Sequence, residues 1–279
     1  MSGAPGSSSG GVDLHLHTTL SDGLRTPAGL GAAAREAGLE LIAVTDHDEL
    51  RGLPEVRAAA GDVRVLAGVE ISCAVPGGGL HVLGYGVDPE DTVLVDLLRA
   101  NRMAKRAQMA GIVRQMHWKG VSLDWEALAA ERPGDAYIGR KHLERLLLAG
   151  PVRNKKTIYR RYLGRRANTF IEARVTDAAT AIAAIHGAGG LAVLAHPSRE
   201  NLTEHLPALC RSGLDGLELY RPFRGRRFLD EVASEAFRRK LFVTAGSDSH
   251  GDEERDPFGR FRGERERLTD FLARLEAGP

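Results

Sequence analysis

Short apolar runs alternate along the chain with segments whose apolar positions recur every three to four residues, as expected of buried strands and amphipathic helices. Strands are predicted over residues 12–16, 39–45, 63–71 and 80–85, with helices over 27–37 and 53–60 between the first three. Pro27 suits a first helical turn and Gly38 a helix stop. The alternation resumes late in the chain: helix 177–186, strand 191–195, helix 202–211, strand 216–220, helix 228–239, strand 241–245 and a last helix over 264–275. Strands separated by helices pack as parallel βαβ units, and seven strands of this kind predict an α/β fold closed into a barrel.

Residues 88–169 break the pattern. No apolar run there reads as a buried strand, whereas 94–117, 124–131, 140–148 and 155–163 have helical periodicity, parted by Pro133-Gly134 and Gly150-Pro151. The expected organisation is a barrel domain over 12–87 and 170–279, a helical insertion over 88–169 that caps the substrate site, and a flexible Gly/Ser-rich tail over 1–11.

Composition narrows the class. The 279 residues are 43% hydrophobic and 27% charged, which excludes disorder, collagen and coiled coil as overall descriptions. Lys and Arg number 38 against 37 Asp and Glu, a net charge of +1, so any anion site has to be local. Cys73 and Cys210 are too few for a disulfide framework. No apolar run reaches the roughly 18 residues of a membrane span, and the first residues lack the basic and apolar regions of a secretory signal. A soluble cytoplasmic protein is the expectation.

Histidines concentrate where strands end. Six of the ten, His15, His17, His47, His81, His196 and His250, stand at or just beyond predicted strand termini, and Asp22, Glu70 and Asp248 share those places. Alternate residues of a strand face one side, so His15 and His17 can point together. In a parallel barrel the C-terminal strand ends converge on one rim. Singly, a His-x-His, an Asp-Gly turn or a His-Pro step is ordinary. On one rim, nine imidazoles and carboxylates need cations beside them, and neutral imidazole with carboxylate suits Zn, Mn or Fe. Neither a Gly-x-Ser-x-Gly elbow nor a Cys-His signature offers a protein nucleophile.

The strings His15-Leu16-His17, Ser21-Asp22-Gly23, Thr45-Asp46-His47-Asp48, Gly68-Val69-Glu70-Ile71-Ser72, His81-Val82-Leu83-Gly84-Tyr85, Leu194-Ala195-His196-Pro197 and Gly246-Ser247-Asp248-Ser249-His250-Gly251 carry a resemblance. In this order they resemble the polymerase and histidinol phosphatase (PHP) family of metal-dependent phosphoesterases, from about Val12 to Gly251. The resemblance implies a distorted seven-stranded barrel of PHP type and two to three divalent metal ions. One ion would be held by His15, His17, Glu70 and Asp248, a second by Asp22, His47 and His250, and a third by Glu70, His81 and His196. Asp22, His47, Glu70 and His250 are the expected catalytic residues. All nine positions carry the family's residue type, which disfavours a non-catalytic metal-binding scaffold.

Clustered divalent ions make hydroxide available at neutral pH and clamp phosphate oxygens. The leaving-group acid stays open among a ligand histidine, Asp46 and Asp48. Gly139-Arg140-Lys141-His142 is similar to the Gly-Arg-x-His segment of family members that hydrolyse nucleotides and short RNA, with Lys141 where those relatives carry Pro. The likeness implies that Arg140 and His142 bind substrate phosphate. Basic residues recur at Arg153, Lys155, Lys156, Arg160, Arg161, Arg165 and Arg166, and again at Arg221, Arg224, Arg226 and Arg227. Read functionally they form an electropositive wall for a substrate with more than one phosphate, with Arg221 a candidate contact. Tyr137, Tyr159, Tyr162, Tyr220 and Phe223 are the aromatics placed for base stacking. The expected activity is hydrolysis of a phosphate monoester of a nucleotide-like substrate, a nucleoside bisphosphate among the candidates. The alternatives are a 5′-3′ exonuclease on short 5′-phosphorylated RNA, a phosphatase for a modified nucleotide or sugar phosphate, and the metal-binding scaffold. No membrane and no obligate protein partner is implied.

Overall fold

The computed structural model describes residues 10–277 apart from 151, 153, 223, 252–255 and 262. Of the expected tail, residues 1–9 lie outside the described residues, as do Arg153 and Phe223, while Gly11 already opens the first strand. Seven strands form one sheet in sequence order: β1 (Gly11–Leu16), β2 (Leu39–Val44), β3 (Arg64–Val75), β4 (Gly78–Tyr85), β5 (Leu191–Leu194), β6 (Gly216–Tyr220) and β7 (Phe242–Ala245). Backbone bonds from Asp248 N to His15 O (2.9 Å) and from His17 N to Ser249 O (3.1 Å) tie the end of β1 to the segment after β7. The result is a distorted α/β barrel.

The pairing is parallel for β1–β2–β3 and β5–β6–β7, but β4 runs antiparallel to both neighbours. This departs from the all-parallel barrel expected above. Only Pro76 and Gly77 separate β3 from β4, and two residues can join antiparallel strands but not parallel ones. Gly77 makes the reversal at a φ of 74°, which glycine adopts without a Cβ clash. Because β4 is reversed, it meets the histidine rim at its beginning, and His81 pairs across from Ser72.

Side-chain alternation divides the apolar residues. Val12, Leu14, Leu41, Leu83 and Val193 fill the barrel, whereas Ile42, Val44, Val69, Val82 and Leu194 face the surrounding helices. Those helices include α1 (Pro27–Glu36) and α2 (Leu53–Ala60). Residues 88–169 hold α3 (Thr92–Trp118), α4 (Trp125–Glu131), α5 (Arg140–Ala149) and α6 (Lys155–Ile158), the last running into a π-helical turn over Tyr159–Leu163. This stretch has an apolar cluster of its own, built on Met109, Ile112, Met116, Leu143, Leu147 and Leu163. Then follow α7 (Ala178–Gly187), α8 (Leu206–Arg211), α9 (Arg226–Arg239) and α10 (Thr269–Ala277). Phe271 of α10 plugs the barrel end remote from the histidines, with its ring 5.3 Å from Tyr85 and 5.4 Å from Phe242. Among the described residues no helix is long and apolar enough to cross a membrane.

Candidate metal centre

The nine histidines and carboxylates singled out from the sequence meet at one end of the barrel. His15 lies in β1 and His17 directly follows it, Asp22 stands in the loop beyond, His47 follows β2, and Glu70 and His81 face each other from β3 and β4. His196 follows β5, and Asp248 and His250 follow β7. His15, His17, Asp22, His47, Glu70 and His250 are buried.

The spacing of their donor atoms is informative. Nε2 of His15 lies 3.3 Å from Glu70 Oε2 and 3.5 Å from Asp248 Oδ1, and Nε2 of His17 lies 3.3 Å from each of the same two oxygens. Those separations are long for hydrogen bonds. They match the edge of a tetrahedron, about 3.4 Å, whose corners sit about 2.1 Å from a central ion. A second set joins one atom each of His17, Asp22, His47 and His250, and a third joins His47, Glu70 and His81, with all atoms of a set within 4.8 Å of one another. Glu70 connects the sets: Oε1 is 2.8 Å from His81 Nδ1 and 2.7 Å from His196 Nε2, while Oε2 is 2.9 Å from His47 Nδ1. His15 Nε2, His17 Nε2, Asp22 Oδ1, His47 Nδ1, Glu70 Oε2 and His250 Nε2 are buried with no hydrogen-bond partner. A buried polar atom without a partner is costly unless something else satisfies it, and a divalent cation fits this donor chemistry.

The backbone is bent to aim these groups. Three non-glycine residues on the rim have positive φ: Asp48 at 51°, His196 at 29° and Asp248 at 57°. Such conformations are strained and cluster at functional sites. Electrostatics agree. Burial opposes charge on Glu70, Asp22 and Asp248, yet the surrounding imidazoles hold all three well below the usual carboxylate range. Burial likewise opposes charge on His17, but Asp248 and Glu70 prevail and raise it to about 9. His81 goes the other way, to about 3, because desolvation outweighs Glu70. The carboxylates of Asp248 and Glu70 thus favour positive charge beside His17.

One supporting residue of the donor set escaped the sequence reading, and two that it named stand behind the cluster. Glu218 of β6 is fully buried, takes the Nδ1 of His15 at 2.7 Å and accepts from the backbone N–H of His196 at 2.6 Å. It fixes the His15 ring with Nε2 toward the cluster, the outer-shell role carboxylates play around metal-binding histidines. A charged residue inside the apolar run Gly216–Tyr220 was the available signal. Asp46 accepts from Thr18 N (2.7 Å), Thr18 Oγ1 (2.6 Å) and Ser21 Oγ, and Asp48 Oδ1 accepts from Ser72 N and Asn101 Nδ2, each at 2.9 Å. Neither lines the cleft above the cluster.

That cleft, about 160 Å³, has the cluster on one wall and Lys105, Tyr137, Arg140, Lys141 and Tyr159 on the other. Tyr137 stacks on His47 with ring centres 5.2 Å apart. The helical stretch also grips the loop that carries Asp22. Arg132 Nη2 donates to the carbonyls of Thr19 (3.0 Å), Leu20 (3.0 Å) and Ser21 (2.8 Å), and Arg145 Nη2 to that of Asp22 (2.6 Å). Lys105 is buried, and desolvation followed by the nearby Arg140 lowers it to about 8.

Other sequence candidates sit elsewhere. His142 accepts from Gly139 N at 3.1 Å, capping its own helix outside the cleft lining, and burial lowers it to about 4. Arg221 lies 3.2 Å from Glu218 and 2.6 Å from Asp248, braced against the donor set. Tyr162 is buried in the helical stretch's apolar cluster, and Tyr220 lies under Arg267. Lys155 pairs with Glu144 at 3.0 Å, and Arg160, Arg161, Arg165 and Arg166 are exposed.

Comparison with known proteins places this arrangement. The PHP domain profile matches residues 13–175. A 5′-3′ exoribonuclease of Haemophilus influenzae is 34% identical over 194 residues, covering 68% of this chain and 70% of the relative. A 3′,5′-nucleoside bisphosphate phosphatase of Chromobacterium violaceum is 29% identical over 247 residues, covering 86% and 87%. The solved structure of an assigned metal-dependent phosphoesterase from Bifidobacterium adolescentis superimposes with a TM-score of 0.82 at 28% identity, over 95% of this chain and 96% of that one.

Proposed function

The chain belongs to the PHP domain family, and on that premise we propose how it acts as a metal-dependent phosphoesterase: it removes a phosphate from a nucleotide-like monoester, a nucleoside bisphosphate being the leading candidate. His15, His17, Glu70 and Asp248 would hold one divalent ion, Asp22, His47 and His250 a second, and Glu70, His81 and His196 a third, from Mn, Fe or Zn. When bound, such ions supply Lewis acidity and hydroxide at neutral pH. The observation that carries this reading is the set of four donors 3.3–3.5 Å apart around buried atoms that lack partners.

The chain's own residues have separable tasks. Glu218 orients His15, and Arg221 orients Asp248. Tyr137 covers His47 and keeps water from that side. Residues 88–169 form a cap whose Arg140 and Lys105 face the donors and meet the anionic ester. Asp46 is engaged by Thr18 and Ser21 and Asp48 by Ser72 and Asn101, and neither lines the cleft, so the proton for the leaving oxygen has to come from a group that does. A cytoplasmic setting and independence of a partner protein belong to the same proposal.

A turnover screen with Mn, Fe or Zn tests it, using AMP, nucleoside 3′,5′-bisphosphates, sugar phosphates and short 5′-phosphorylated RNA. Chelation, Asp248→Ala and His47→Ala should each abolish turnover. Undiminished activity with chelator present would overturn the metal-dependent reading. The likeness to an exoribonuclease favours stepwise shortening of RNA as the second reading. RNA binding should then weaken with salt at a slope of about −0.7 per neutralised phosphate.

A further inference from the structure

Beside the cleft above the donor cluster lies a second cavity of about 90 Å³, and His81, Lys105 and Arg140 line both. The annexe is bounded by Gln108 and Arg165 of the helical stretch, by Phe170, and by the β3–β4 hairpin at Gly78-Gly79. Lys105 is 8% exposed, yet among the described residues neither it, Arg140 nor Arg165 has a carboxylate or hydrogen-bond partner. Buried cations are ordinarily paired. Gln108 donates from Nε2 to Ile171 O at 2.5 Å and keeps its Oε1 buried without a partner. One carboxylate borders the annexe, that of the exposed Glu172. The Arg165 guanidinium lies against Gly78, and a Cβ at residue 78 would displace it.

We propose that Lys105, Arg140 and Arg165 form a subsite for a second, non-hydrolysed phosphate, which makes the preferred substrate one with two phosphate groups on a short spacer. The inference rests on the phosphoesterase reading for what happens at the donor cluster. The geometry supporting the second phosphate is separate: three unpaired cations around a cavity that adjoins the cluster and shares two of them with it. A monophosphate placed at the donors leaves Arg165 unused. A bisphosphate engages all three cations at once, with guanidinium forks matched to phosphate oxygens.

The test is equilibrium binding to the metal-loaded protein. The probes are a nucleoside bisphosphonate, whose methylene links resist hydrolysis, and the matched monophosphonate. The wild type should bind the bisphosphonate at least ten-fold more tightly. Arg165→Met should cut that preference about ten-fold, and so should Gly78→Val, which displaces the guanidinium while keeping its charge. Lys105→Met should cut it further, and because Arg165 is exposed, its variant remains readable if the buried one fails to fold. Equal binding of the two probes by the wild type, or a preference unmoved in Arg165→Met, would overturn the subsite. Turnover of p-nitrophenyl phosphate by the wild type is measured alongside. Turnover without bisphosphonate preference leaves the phosphoesterase reading standing and removes the subsite. Preference without turnover does the reverse.

Discussion

Replacing Arg132 by methionine should loosen the Asp22 loop. Its guanidinium serves four carbonyls: Thr19, Leu20 and Ser21 through Nη2, and Tyr137 through Nε at 2.7 Å. Nη2 has two hydrogens for three acceptors, so the loss amounts to about three charge-assisted bonds, each worth roughly 1.5–3 kcal/mol net. Arg132 is half-buried, and water can replace part of what is removed. The expected cost is therefore about 2–4 kcal/mol, a fall in Tm of roughly 5–12 °C for a chain of this size. Because the same carbonyls position Asp22, elemental analysis should show about one divalent ion fewer per chain at limiting metal. Arg132→Lys, with one charged group and no fork, should recover less than half of the loss. A Tm within 1 °C of the wild type together with full metal content would refute the reasoning, since it would mean that the loop holds its shape without the grip.

Glu218→Gln keeps the hydrogen-bonding shape but removes the charge behind His15, and should weaken metal binding 10–100-fold by titration calorimetry. Phe271→Ala should cost about 3–5 kcal/mol in thermal unfolding by opening a cavity at the barrel floor, with metal stoichiometry unchanged. The lowering of His142 from 6.5 to about 4 sets a pH dependence. The folded state favours its neutral ring, so that stability is present above pH 6.5 and is lost as pH falls toward 4. His142→Gln, which can still accept from Gly139, should show a smaller drop in Tm between pH 7 and 4.5 than the wild type. Identical drops would show that the ring is not what titrates.

What could be read in the sequence was whatever local patterning encodes. Alternation placed the seven strands, and strand ends located the nine donor residues, because both depend on neighbours two to four positions apart. The reversal of β4 needed attention to the two-residue link at Pro76-Gly77, which forbids a crossover. Lys105 read as one more polar position in a long helix, and only the folded chain sets it opposite His81 across two cavities. Arg132 and Arg145 bond to main-chain carbonyls more than 100 residues away, and a carbonyl leaves no mark in a sequence. His142 was singled out by its motif, yet its ring nitrogen faces its own helix start, a contact that spacing permits as readily as a ligand contact.

The left-handed backbone at Asp48, His196 and Asp248 also sets stability and catalysis against each other. Glycine relaxes such a conformation and asparagine tolerates it better than most residues. At position 248 either substitution would suit the fold, and both would discard the anionic oxygen that stands 3.3 Å from His17. Variants chosen only for heat resistance should therefore drift toward Gly at this position and lose turnover while gaining Tm. An engineer stabilising this enzyme has reason to hold residues 48, 196 and 248 constant and to search among the outer helices instead.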